Sequence, residues 1–113
     1  MDVDQALKSL AALAHETRIW VFRLLVQAGP CGLPAGEIAE SLGSRQNTMS
    51  SHLKILTAAD LVTSQRDGRS VIYKANFAAV RQLVLFLMED CCAGNSEVCR
   101  PVLESLTSTS PKC

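Results

Sequence analysis

The sequence predicts a mainly α-helical domain with one small β-hairpin, in the order α-α-α-α-β-β-α of a winged helix-turn-helix. Three observations predict it. Apolar residues recur at helical spacing in four successive segments before residue 60 and in one more after residue 76. Between Leu61 and Lys74 the spacing becomes that of strands, around an Asp-Gly pair. Gly-Pro and Gly-Ser punctuation falls between the helical segments. With 113 residues the chain is long enough for one core, near the size at which a second chain often completes the burial. Apolar residues make up 48% and aromatics only 4%, so Leu, Val, Ile and Ala fill that core.

Residues 4–13 are rich in helix formers, with Leu7, Leu10 and Leu13 along one side. A break at Ala14-His15 precedes a second helix over 16–28, where Ile19, Phe22, Leu25 and Val26 line one face. Gly29-Pro30 stops it. Pro34 falls in the first turn of a short third helix over 35–42, with Ile38, Ala39 and Leu42 inward and Gly43 closing it. Ser44 is suited to cap a fourth helix over 45–58, whose Met49, Leu53 and Leu56 repeat at i, i+4, i+7. Strands Leu61–Gln65 and Ser70–Lys74 flank Arg66-Asp67-Gly68-Arg69, and Asp67-Gly68 suits the centre of a type I′ turn. A last helix over 76–90 carries Phe77, Val80, Leu83, Val84 and Leu87 on its apolar side. The tail from Thr107 has a composition that does not favour a packed structure.

Net charge is zero, but its distribution is uneven. Between Ser44 and Lys74, Arg45, Lys54, Arg66, Arg69 and Lys74 stand against Asp60 and Asp67, a net +3, and the rest of the chain carries −3. A basic middle is a modest footprint for a polyanion. The fourth helix sharpens it. Its outward positions are Arg45, Gln46, Asn47, Thr48, Ser50, Ser51 and Lys54, and no acid occurs between Gly43 and Ala59. Solvated helix faces usually mix acids with bases. An acid-free face of hydrogen-bonding groups suits the major groove, where Gln and Asn pair with adenine, Arg with guanine, and Ser or Thr with phosphate or base. Arg66 and Arg69 at the hairpin tip are placed to touch phosphate or the minor groove. His52, beside inward Leu53, reads as a satisfied, partly buried histidine rather than a ligand.

These segments resemble the ArsR/SmtB family of metal-responsive repressors. The resemblance is carried by L-A-H-E-T-R-I-W-V-F-R-L-L (13–25), G-E-I-A-E-S-L (36–42), N-T-M-S-S-H-L-K-I-L-T-A-A-D-L-V (47–62) and R-D-G-R-S-V-I-Y-K (66–74), and spans nearly all of residues 5–90. It implies a homodimer built on the first and last helices, an operator of double-stranded DNA with two-fold symmetry, and release when an inducer binds. A DNA-binding and dimerisation domain over 1–90 and an inducer segment with a flexible tail over 91–113 follow from it.

Two inducer sites used in the family have no counterpart here. The third helix carries Leu33-Pro34-Ala35-Gly36-Glu37 in place of a Cys-x-Cys pair, and the last helix has no histidine. What remains is E-D-C-C-A-G-N-S-E-V-C-R-P (89–101), where Cys91, Cys92 and Cys99 lie within nine residues. This resembles the arsenite-responsive members that carry a C-terminal cysteine triad. Adjacent Cα atoms are about 3.8 Å apart, short of the roughly 4.4–6.8 Å usual for a disulfide, so the vicinal pair favours bridging a third atom. Three thiols suit a soft three-coordinate centre, whereas structural zinc takes four ligands. Acidic Glu89, Asp90 and Glu97 disfavour thiolates, which trivalent arsenic tolerates because three thiols displace three hydroxyls as water. The inducer expected is therefore arsenite, with antimonite or methylarsenite as variants. A thiol redox or persulfide switch, or a divalent soft metal such as cadmium or lead, remains open as the alternative. Cys31 and Cys113 read as incidental.

An enzyme is not expected, nor a catalytic cofactor. A C-x5-R anion cradle would need arginine at position 97 or 98, which are Glu97 and Val98, and no paired carboxylates, phosphate loop or Cys-His arrangement occurs. No apolar run is long enough to span a bilayer and no basic N-terminus precedes one, so the expected location is cytoplasmic, without membrane contact.

Overall fold

The computed structural model describes residues 1–88. Helix α1 spans Val3–Leu13, capped by Asp2, whose Oδ1 accepts from the Gln5 amide at 2.7 Å. Helix α2 covers Glu16–Ala28 and is capped by His15, whose Nδ1 accepts from the Thr17 amide at 3.1 Å. It ends at Gly29, followed by a 3₁₀ turn over Gly29–Cys31. Strand β1 (Leu33–Pro34) leads directly into α3 (Ala35–Ser41). Then come α4 (Gln46–Ala58), strands β2 (Val62–Asp67) and β3 (Ser70–Ala75), and α5 (Phe77–Leu87), capped by Asn76. The fold class is the expected winged helix-turn-helix.

The sheet has one strand more than the sequence suggests. Its order is β1-β3-β2, all antiparallel, with Leu33 opposite Tyr73 and Pro34 opposite Ile72. A two-residue strand containing proline carries no periodicity to detect, and proline at a sheet edge withholds an amide that no neighbour needs. The hairpin register also differs by one residue from the expected one. Asp67 pairs with Ser70, so the turn residues are Gly68 and Arg69 rather than Asp67 and Gly68. Of these two only Gly68 has positive φ, at 62°, the type II′ pattern with glycine first, not type I′.

The core lies where α2, α3 and α4 meet the base of the hairpin. Val21, Leu25, Ile38, Leu53, Leu56 and Leu61 are fully buried, with Met49 and Val62 all but so. Burying each large aliphatic side chain stabilises by about 1.5–3 kcal/mol, so these residues hold the three helices and the wing as one unit. On α3 and α4 the inward residues are those the spacing indicates. On α2 they are not: Ile19 and Val26 are each 39% exposed, and Val21 is buried instead. Apolar residues surround α2 on most sides, so periodicity alone did not single out its buried face. The cap of α4 differs as well. Arg45, not Ser44, occupies the N-cap, without a side-chain capping bond, and the Ser44 hydroxyl donates to the Arg45 carbonyl oxygen at 3.4 Å.

Helix α1 presents small residues inward, with Ala6, Ser9 and Ala12 buried, while Leu7 is 59% exposed and Leu10 is also exposed. On α5, Ala79 and Leu83 are buried while Leu85 and Leu87 are exposed, Leu87 at 57%. Leu7 and Leu10 of α1 and Leu85 and Leu87 of α5 are thus turned away from the chain's own core, whereas Leu13 and Phe77 pack against it. Among the described residues, no helix is long and apolar enough to cross a membrane.

Gly32 is where a side chain is least tolerable. Its φ is +69°, and a Cβ there would collide with the Tyr73 carbonyl oxygen and the Lys74 side chain across the β1–β3 approach. Gly32→Ala should lower unfolding free energy by about 2 kcal/mol or more, since backbone strain and collision add. Gly68→Ala, at similar φ but with open space around it, should cost only about 1 kcal/mol. Urea unfolding of the two variants checks the order.

Candidate nucleic-acid interface

The side chains expected to read DNA share one exposed surface. Arg45, Gln46, Asn47, Thr48, Ser50, Ser51 and Lys54 are all exposed, while Met49, Leu53 and Leu56 on the opposite side of α4 are buried. The 3.6-residue period produces this division, placing core and reading groups on opposite faces of one helix. Two of the polar groups also serve the helix itself. Asn47 Oδ1 accepts from the Thr48 amide at 3.1 Å, and the Ser51 hydroxyl donates to the Asn47 carbonyl oxygen at 3.3 Å.

The wing lies beside this face. Arg66 near the end of β2 and Arg69 in the turn are exposed. Gln46 and Ser50 of α4 and Arg69 of the wing border one open cleft of about 630 Å³, floored by Gly36, Val71 and Tyr73. Helix and wing are therefore brought together on one side of the molecule. The cleft also holds two residues that sequence reasoning passed over, Glu37 and Glu40 of α3. Carboxylates at those positions repel a phosphate group, whereas Arg69 on the same cleft attracts one. Their spacing of three residues on the helix preceding the reading helix was the available signal.

Behind the reading face, α4 is joined to α1 and α2 at a polar node. The Arg18 Nε donates to the Ala12 carbonyl oxygen at 2.6 Å, and its Nη1 lies 3.4 Å from His52 Nδ1. The rings of His15 and His52 are 4.7 Å apart between centroids. His52 is half-buried and hydrogen-bonded, the satisfied histidine the sequence suggested. Burial, then the neighbouring His15 and Arg18, lower its pKa below the ordinary 6.5. A histidine whose folded pKa is depressed binds fewer protons folded than unfolded. Its contribution to stability is present above pH 6.5 and is lost as pH falls through the folded value.

Cys91, Cys92, Cys99 and Cys113 lie outside the described residues. Cys31 closes the 3₁₀ turn and borders a second cleft of about 220 Å³ with Gln65, Arg66, Asp67, Ile72 and Lys74. Its sulfur is disulfide-bonded, which corrects the expectation of an incidental thiol. Nothing in the spacing around Cys31 signalled a partner. Among the described residues no group of three or more His, Cys, Asp or Glu side chains converges as a metal site.

Residues 13–65 match the model of a helix-turn-helix domain family. The regulator NmtR of Mycobacterium tuberculosis (strain ATCC 25618 / H37Rv) is 35% identical over 80 residues, covering 71% of this chain and 64% of that protein. The repressor SmtB of the same strain is 39% identical over 72 residues, covering 64% of this chain and 51% of that protein. The matched residues are a helix-turn-helix domain, similar in sequence to these two regulators. The chain thus spans between half and two thirds of the length of these two relatives. Among solved structures, an ArsR-like regulator from Rhodococcus sp. RHA1 superposes with a TM-score of 0.67 at 24% identity, covering 95% of this chain and 94% of that one. A homodimeric winged helix-turn-helix domain, Mb0332 of Mycobacterium bovis, gives 0.64 at 23% identity, covering 87% and 85%. A possible transcriptional regulator for arsenical resistance gives 0.64 at 26% identity, covering 89% and 94%. The likenesses lead to transcription regulators and not to enzymes.

Each phosphate neutralised by a protein cation should steepen the fall of affinity with salt by about 0.9 in log–log slope. Arg66→Ala and Arg69→Ala should each make the slope shallower on duplex DNA, and Gln46→Ala should leave the slope intact while flattening preference among sequences. Fluorescence anisotropy across a salt series measures both. A slope unchanged in both arginine variants would remove the wing from the interface.

Proposed function

We propose that this chain is a transcriptional repressor that binds operator DNA as a homodimer and releases it when trivalent arsenic is captured by Cys91, Cys92 and Cys99. The observation that carries the DNA half is the exposed, acid-free face of α4 seated on a fully buried row of Met49, Leu53 and Leu56. Gln46, Asn47 and Arg45 supply base-reading groups, Thr48, Ser50, Ser51 and Lys54 supply phosphate or base contacts, and Arg66 and Arg69 hold the flanking backbone. The unit that reads and dimerises is residues 1–90, with 91–113 as the inducer segment.

The dimer reading rests on Leu7, Leu10, Leu85 and Leu87, large apolar side chains left exposed on α1 and α5. A two-fold pairing of those helices covers them and sets two reading helices at a fixed separation. The likeness to a homodimeric domain of the same fold supports it. Sedimentation should give twice the chain mass of 12.2 kDa with or without arsenic. A monomer at micromolar concentration that still binds a palindromic site tightly would defeat this.

The arsenic half rests on sequence chemistry, three thiols within nine residues, and on the likeness to a regulator described for arsenical resistance. Release requires the inducer to bind the DNA-incompetent state more tightly, since equal affinity for both states shifts nothing. A redox reading of the same fold is favoured by one specific observation, the disulfide at Cys31 beside Arg66 and Lys74. Titrating the reduced protein on its operator with arsenite, antimonite, cadmium, zinc and peroxide separates the readings. The proposal expects arsenite or antimonite to release DNA at one equivalent per chain. Serine at Cys91, Cys92 or Cys99 should abolish release without weakening DNA binding, and Cys31→Ser should leave it intact. Release by peroxide alone, lost in Cys31→Ser, would establish the redox reading in its place.

A further inference from the structure

The node behind the reading helix has a geometry that packing alone does not require. A single guanidinium spans two elements with separate tasks. Arg18 Nε donates to the carbonyl oxygen of Ala12 in the last turn of α1, one of the helix-end carbonyls that lack an intrahelical donor. Its Nη1 faces Nδ1 of His52 in the middle of α4. Both contacts come from one planar, rigid fork, so they fix a distance and an angle between α1 and α4 together. The His15 ring lies tilted against that of His52, and its Nδ1 accepts from the Thr17 amide as the cap of α2.

We propose that Arg18 is a positioning residue that sets the pitch of α4 relative to α1, and so couples the pairing of the dimer-forming helices to the spacing of the two DNA-reading faces. The inference rests on the reading of the chain as a dimeric DNA-binding protein. Lysine cannot reproduce the two-point contact, because its single ammonium carries charge without the fork. His52 must present an unprotonated Nδ1 to receive the Arg18 donor. Protonating it would place a donor against a donor and set a positive ring beside the Arg18 guanidinium, with His15 facing it as well from the α1–α2 junction. On its own helix the nearest charged residue is Lys54, also positive. The sign is informative. Acidification ordinarily strengthens binding to DNA by adding positive charge, whereas loss of the Arg18–His52 contact weakens it.

The test uses the full reduced chain and a duplex selected from random DNA by the wild-type protein, together with the same duplex lengthened by one base pair between its half-sites. One added base pair shifts and rotates one half-site against the other, so a dimer of fixed pitch should bind the longer duplex about tenfold less well. Arg18→Lys should bind the parent duplex more weakly and discriminate little between the two. His52→Asn, which keeps an oxygen acceptor near the Nδ1 position but does not titrate, should keep the discrimination. The wild type should lose affinity as pH falls below 6.5, and His52→Asn should not. Arg18→Lys that discriminates as sharply as the wild type, or His52→Asn that follows the wild-type fall with pH, would overturn the inference. If Arg18→Lys does not fold, as read by thermal unfolding, the pH comparison of wild type with His52→Asn decides alone. A wild-type chain that selects no duplex at all fails at the earlier step, overturning the functional reading and this inference with it.

Discussion

Everything on the reading side of this molecule depends on how α4 is buried. Met49, Leu53 and Leu56 fix its inner face against Val21 and Leu25 of α2, Ile38 of α3 and the entry to the hairpin at Leu61 and Val62. Removing one such side chain typically costs about 2–5 kcal/mol, a large part of the total stability of a domain this size. The same thirteen-residue helix carries six of the side chains proposed to meet DNA, from Gln46 to Lys54. A rigid inner face is what allows short polar side chains on the outer one to discriminate, since base contacts depend on placement within fractions of an ångström.

Charge and hydrophobicity are divided between two surfaces. The net +3 of residues 44–74 is concentrated on α4 and the wing, with Glu37 and Glu40 bounding it on α3. The exposed leucines of α1 and α5 form the other surface, in a chain too small to cover all its apolar side chains alone. The Arg18–His52 node lies between the two, touching the end of α1 and the middle of α4. A zero net charge therefore says little about what this chain binds, whereas its distribution says a great deal.

The five helices and the hairpin were legible because each announced itself by periodicity and punctuation: Met49, Leu53 and Leu56 at helical spacing, Gly29-Pro30 and Gly43 as stops, Gly68 between β-prone runs. What escaped was set by tertiary context. Leu33-Pro34 becomes a strand only because β3 lies beside it, and Gly32 allows the two to approach. Ile19 and Val26 are as apolar as Val21, so the buried face of α2 was decided by its neighbours and not by composition. The residues proposed to read DNA stood out because a helix face without acids is unusual, whereas Glu37 and Glu40 look like ordinary helix-surface carboxylates. Arg18 gave no signal beyond its presence, since its role lies in which two atoms it reaches. The disulfide of Cys31 was unreadable because disulfide connectivity cannot be deduced from sequence alone.

The central claim is that the outer face of α4 enters the major groove. Guanine N7 lies in that groove, where dimethyl sulfate methylates it unless a protein covers it. On a duplex selected by the wild-type chain, binding should protect guanines in two clusters whose centres are about 10–10.5 base pairs apart, one helical turn. Protection should disappear from both clusters when Gln46 and Asn47 are replaced together by alanine in a protein that remains folded. Full N7 reactivity throughout a duplex saturated with the wild-type protein would contradict the account, because the protein would then be holding DNA by some surface other than α4.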